Sequence, residues 1–126
     1  MFIITEKEFI NADHIRSIKV SETKPRIIEA VADLGNRETV IYSYDYTHDI
    51  AVSRINQLER YYNLPFVSET EKKDVEDIRK GNITQADKNV IPDIKNFVYG
   101  RIYELVEDLE REKRKGTLIY DMIRFN

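Results

Sequence analysis

The spacing of apolar residues changes period near residue 46, and that change predicts the architecture. Before it, apolar side chains come in short runs and alternations. Residues 2–5, 15–20, 26–34 and 38–46 read as strands, with Ile18 and Val20 on one face of the second. Polar residues 21–24 and Pro25 break the chain before the third. Gly35-Asn36 supplies turn chemistry before the fourth, because both residues tolerate positive φ. Loops this short favour antiparallel neighbours, since a parallel crossover needs about a dozen residues. A meander of three to four strands is the expectation.

Beyond residue 46 the period becomes helical. Ala51, Ile55, Leu58 and Tyr62 recur at i, i+4, i+7 and i+11, with Asp45 or Thr47 as the cap and Asn63-Leu64-Pro65 as the stop. The apolar face of this helix has the open side of the meander as its natural destination. Ser68-Glu69-Thr70-Glu71 fits a capping box and Gly81 a stop, so residues 69–80 should form a mostly solvated helix docked at Val75 and Ile78. Thr84 to Asp87 is a second capping signal, and Pro92 suits the first turn of a helix over 93–115. That segment carries a stripe of Ile94, Val98, Ile102, Leu105 and Leu109, broadened by Phe97, Tyr99, Tyr103 and Val106. Gly100 interrupts it, a cost that close approach of another element would offset, and Gly116 closes it. The tail, 117–125, fits a short helix and a strand about equally.

These elements predict an α+β fold. An antiparallel N-terminal β-meander is packed by one helix, and a helical C-terminal half follows with one long amphipathic helix. We read a single domain over 1–126, with subregions 1–65 and 66–126. Leu, Ile, Val and Phe together number 37 of 126 residues, enough for a modest core. The net charge of −3 excludes a strongly basic or heavily acidic molecule as a whole. No secretory signal or membrane-length apolar run stands out, so a cytoplasmic location and no membrane partner are expected. The absence of Cys excludes disulfides, thiolate metal sites and a Cys nucleophile.

Candidate chemistry is sparse. The four glycines stand singly, which excludes phosphate-cradling loops of the P-loop or dinucleotide type. Asp45, His48 and Asp49 gather at a helix start, where helix capping competes with metal binding as the explanation. The carboxylate pairs Asp74/Asp77 and Glu107/Asp108 sit among Lys and Arg, as solvated helix faces do. No cofactor or metal is therefore expected, and the chain reads as a non-enzyme.

The distinctive feature is its eight tyrosines. Tyr42, Tyr44 and Tyr46 alternate along a predicted strand in line with Val40, and Tyr99 and Tyr103 lie one helical turn apart. Tyr joins a large apolar area to a hydroxyl that needs a partner, which suits surfaces that become covered. The basic cluster Arg111, Lys113, Arg114 and Lys115 has two readings, complementing the dipole at a helix C-terminus or contacting phosphate.

Phe9-Ile10-Asn11-Ala12-Asp13-His14-Ile15, followed by Ile18, a turn, a β-rich run and a helix, is similar in rhythm to FlbD-like flagellar and swarming proteins over residues 2–60. That resemblance implies a small meander-plus-helix protein and assigns no functional residue. The expected function is a non-catalytic protein-interaction or regulatory protein, with a second copy of the chain as one candidate partner. Its binding residues would be Tyr42, Tyr44, Tyr46, Tyr99, Ile102, Tyr103 and Val106. Seventeen Ile against six Leu, with abundant Lys, Glu, Asn and Tyr, resembles the usage of AT-rich bacterial or phage genomes. A mobile-element inhibitor of a host defence nuclease is accordingly an alternative. Weak nucleic-acid binding through the basic cluster is another.

Overall fold

The structure is a computed structural model that describes the backbone at residues 1–62 and 68–125 and the side chains at 1–57 and 71–123. In chain order it contains β1 (Phe2–Ile4), β2 (Phe9–Asn11), β3 (Ser17–Lys24), β4 (Ile27–Asp33), β5 (Glu38–Asp45), α1 (Thr47–Tyr62), α2 (Ser68–Arg79), α3 (Gln85–Arg114) and β6 (Ile119–Asp121). Short 3-10 turns occupy Ala12–His14 and Met122–Phe125. The mixed α+β class and the single long helix are as expected.

The strands form two sheets. β3-β4-β5 is the meander, with β3 and β4 antiparallel. β4 is its central strand and alternates strictly, burying Ile28, Ala30 and Ala32 completely. Opposite them stand Glu22, Val20 and Ile18 of β3. The strand does not stop at the polar residues 21–24. It continues through a bulge between Glu22 and Lys24 to a two-residue turn at Pro25-Arg26. Pro fixes the first corner, Arg26 takes φ +66° at the second, and its N–H donates to the Glu22 carboxylate at 2.9 Å. At the next turn Gly35 has φ +90°, and the Arg16 guanidinium lies within 3.0 Å of where a β-carbon would sit.

β1 does not extend this meander. It is the centre of a second sheet, β2-β1-β6, antiparallel to β2 and parallel to β6. The ambiguous tail resolves into both of its readings, because β1 offers residues 119–121 an edge and a helical turn follows. β2 falls within a stretch that the apolar pattern leaves unassigned. Its hairpin turns on Thr5, whose Oγ1 donates to the Glu8 carbonyl and accepts from the Lys7 and Glu8 N–H groups.

The chain divides into two compact units, one of Met1–Tyr44 with Val98–Asn126 and one of Asp45–Phe97. The sequence halves 1–65 and 66–126 do not coincide with them. The β1–β6 pairing gathers the end of the chain with the strands, and α1 packs with α2 in the other unit. The first unit buries Ile3, Ile10, Ile41, Ile102, Leu105, Leu109, Tyr120 and Met122, so the stripe on α3 contributes to a core.

The second unit buries Ile50, Ala51, Ile55 and Ile78 around a polar knot. Arg54 of α1 donates from Nη2 and Nε to the Asp87 carboxylate at 2.6 and 3.0 Å, and from Nη2 to the Asn82 carbonyl at 2.6 Å. Asp87 is 1 % exposed. It also accepts the Thr84 N–H while its own N–H donates to Thr84 Oγ1, which makes the anticipated cap. Helix α3 therefore starts at Gln85, and Pro92 lies inside it rather than in its first turn. Both Gly81 and Gly116 take positive φ as C-terminal caps, with paired bonds such as Gly81 N–H to Ile78 and Asn82 N–H to Asp77. The Asn63-Leu64-Pro65 stop and the side chains of Leu58, Tyr61, Tyr62 and residues 68–70 lie outside the described residues.

Among the described residues nothing approaches within 4 Å of a β-carbon built on Gly100, so none of them makes the close contact anticipated there. Gly100→Ala should stabilise the protein by about 0.5–1 kcal/mol in urea unfolding. Arg54→Ala should cost about 3–5 kcal/mol, because Asp87 is left buried and uncompensated. Chemical denaturation followed by circular dichroism measures both, and a neutral Arg54→Ala would remove the knot from the account.

Candidate functional site

The strand registers of the small sheet dictate what each of its faces carries. Ile3 is flanked by Ile10 and Tyr120, and all three are buried. Side chains alternate along a strand, so their neighbours project from the opposite face. There the register sets Asn11, Phe2 and Ile119 abreast in one row and Phe9, Ile4 and Asp121 in the next. Phe2 is 50 % exposed, Phe9 66 % and Ile119 58 %. Leu118 and Ile123, next to β6, are 79 % and 46 % exposed. A cluster of large apolar side chains this open to water marks a docking or ligand surface more often than chance exposure.

Polar contacts on the other side hold the sheet in place. Tyr120 donates its hydroxyl to the Asp108 carboxylate of α3 at 2.7 Å, and Lys113 Nζ reaches the Ala12 carbonyl at 3.3 Å. Burial pushes the Tyr120 phenol up, and the hydrogen bond and negative charge of Asp108 push it further. Arg37 pairs with Glu8 at 2.8 Å beside the β1–β2 turn and holds the Glu8 carboxyl below its ordinary value. A cleft of about 230 Å³ opens between Thr5, Glu6, Lys7, Glu29, Tyr42, Ser43 and Met122. Charges of both signs line it, without a convergent set of one kind.

The residues anticipated from sequence do not form one surface. Ile102 is 1 % exposed and belongs to the core, which overturns it as a partner-binding residue. Tyr46 is buried too, and it lies beyond the end of β5 in the other compact unit from Tyr42 and Tyr44. Tyr42 and Tyr44 are half-buried on β5, and burial raises the Tyr42 phenol while the Arg101 charge opposes it. Val106 and Tyr99 are half-buried. Tyr103 is 51 % exposed and stacks on Tyr99 with ring centres 6.3 Å apart.

Carboxylates and a carbonyl engage most of the basic cluster. Arg111 pairs with Asp108 at 3.3 Å, Lys115 with Glu112 at 3.6 Å, and Lys113 contacts Ala12 and Asp13. Arg114 lines a shallow groove with Glu107, Glu110, Arg111 and Lys115, so charges of both signs meet there.

At the start of α1, Asp45 accepts from the Thr47 N–H and hydroxyl and faces Arg79 at 3.5 Å, while His48 reaches Glu71 at 2.6 Å. Capping and ion pairing account for these side chains. Among the described residues no group of three or more His, Asp or Glu is arranged to hold a metal ion. No helix among them is long and apolar enough to cross a membrane.

Sequence reasoning missed the apolar sheet face because its residues come from three separate triplets, each too short to show a period. The available signal was the polar tetrapeptide Thr5-Glu6-Lys7-Glu8 between two apolar stretches, a hairpin pattern.

Tyr120→Phe should destabilise the protein by about 1–2 kcal/mol at neutral pH, because Asp108 loses a charge-assisted partner. A raised phenol stabilises fully below the unfolded-state pKa near 10, and that stabilisation is lost as pH rises through the folded value. Unfolding midpoints measured between pH 8 and about 11 should therefore fall more steeply for the native chain than for Tyr120→Phe. Compared with known protein families, with characterised proteins and with solved structures, the chain matches none.

Proposed function

We propose that this chain is a small non-catalytic protein-interaction module that acts by docking another polypeptide on the outer face of its β2-β1-β6 sheet. The carrying observation is that face itself, where Phe2, Phe9 and Ile119 stand half or more exposed. Keeping so much apolar surface in water forgoes stabilisation of roughly 25 cal/mol per Å², which a protein partner would recover. The clustered polar groups support the same reading from the other side. Arg54, Asp74, Asp87 and Asp45 are engaged in ion pairs and caps that hold helices together, and His48 Nε2 contacts the Glu71 carboxylate.

The site differs from the tyrosine-centred surface that the sequence suggests. It replaces Ile102 and Tyr46 with short-strand residues and leaves Tyr103 as a separate exposed ring.

A hydrophobic fluorescent dye tests the accessibility of this face at low micromolar protein. The native chain should enhance dye emission severalfold. The double variant Phe9→Glu with Ile119→Glu should lose most of that enhancement while keeping its unfolding midpoint, since both side chains already face water. Undiminished emission from the variant would place the accessible apolar surface elsewhere and overturn the reading.

A further inference from the structure

Among the described residues, β3 has β4 on one side and no strand on the other. The ladder fixes which of its backbone groups face that open side. Arg16 donates its N–H to the Asp33 carbonyl at 2.8 Å, whereas the Leu34 N–H donates to the Arg37 carbonyl at 2.9 Å, toward β5. Asp33 therefore faces β3, and its partner Ser17 faces back. Alternation turns Lys19 and Ser21 toward β4, opposite Val31 and Glu29, and turns the N–H and C=O groups of Ile18 and Val20 outward. No described backbone group bonds to them there. The bulge between Glu22 and Lys24 ends the regular edge soon after.

Side chains on the same stretch divide by face. Ile18 and Val20 stand opposite the completely buried Ala32 and Ala30, yet are themselves only half-buried. Lys19 projects from the other face and is exposed. Among the described residues no carboxylate pairs with its ammonium. The two carboxylates diagonal to it on β4 are engaged elsewhere, Glu29 with the Thr23 hydroxyl and Asp33 with the Gly35 N–H at 2.8 Å.

We infer that the outer edge of β3 takes up an extended segment of another polypeptide, with an acidic residue opposite Lys19 between apolar residues opposite Ile18 and Val20. Strand addition of this kind draws affinity from main-chain bonds and specificity from alternate side chains. Ile18 and Val20 each offer one outward donor and one outward acceptor, enough for two hydrogen-bonded pairs. Apolar residues beside their side chains extend the buried side of the sheet, and an acid opposite Lys19 forms a cross-strand ion pair. A second copy fits this edge worse. Pairing Ile18 of each copy with Val20 of the other about a two-fold axis sets Lys19 directly against Lys19. A lysine on an open edge suppresses self-association and leaves a complementary strand as the accepted one. The site is separate from the outer face of β2-β1-β6 and does not depend on it.

Nuclear magnetic resonance of the nitrogen-15-labelled full chain, titrated with the end-blocked peptide Thr-Val-Glu-Val-Thr, tests this. Saturable shifts should centre on the Ile18 and Val20 amides, with a dissociation constant below about 1 mM. Methylating both valine nitrogens of the peptide should abolish binding, because the Ile18 and Val20 carbonyls then have no N–H to accept. Replacing the peptide Glu by Lys should weaken binding about fivefold, and Lys19→Glu in the chain should reverse that preference. Val20→Pro removes an outward donor but no bond to β4, so it should keep its circular dichroism spectrum and lose the peptide. Ile18→Pro is the second variant if the first fails to fold. The double variant Phe9→Glu with Ile119→Glu should bind the peptide as the native chain does. Unmoved Ile18 and Val20 amides at about 5 mM peptide overturn the inference. Full binding of the methylated peptide, or by a folded proline variant, overturns it as well. Concentration-dependent shifts of these amides without peptide identify a second copy as the occupant and also overturn it.

Discussion

Parallel pairing of β1 with β6 is the constraint from which the rest of the functional argument follows. Two strands of three residues each are too short to be stable alone, and a two-stranded ribbon is marginal even when longer. The third strand, and burial of Ile3, Ile10 and Tyr120 on one side, make the small sheet viable. Satisfying that inner face leaves the alternate residues no destination but the outside. The exposed phenylalanines are thus a geometric by-product of the same register that fastens the end of the chain.

Several charged groups in this protein join one element to another. The buried Arg54–Asp87 pair joins α1 to the start of α3 and draws in the Asn82 carbonyl, with Asp74 3.5 Å away. Burial alone would raise the Asp87 carboxyl, but Arg54 and the Thr84 N–H outweigh it and hold it below the ordinary carboxylate range. Its stabilising contribution is complete above the unfolded-state value near 4 and fades as pH falls through the lowered folded value. The cluster fastens α1 to the start of α3.

Most elements were legible where their physics is local. The helical period, the Thr84–Asp87 cap, the glycine stops and the β4 alternation all reside within a few adjacent residues, and the structure repeats them. Helix α3 starts eight residues before the sequence-derived boundary, because the interior Pro92 resembles an N-terminal one when the preceding turns lack a long apolar run. The small sheet was not legible, because no local pattern tells residue 2 to pair with residue 119. The candidate site suffered most from that gap. A tyrosine-rich strand and a wide helix stripe invite a binding surface, yet Ile102 is needed for the core and Tyr46 is buried past the end of its strand. The surface that is open is built from residues that look unremarkable in sequence.

The distance along the chain between β1 and β6 also bears on when the face comes into being. Contacts between remote segments form late, because closing a long loop costs entropy before any pairing offsets it. The outward residues of β6 therefore join those of the local β1–β2 hairpin in one surface only once the remote β1–β6 pairing has formed. The complete three-strand face thus exists only in a chain whose remote segments have already paired.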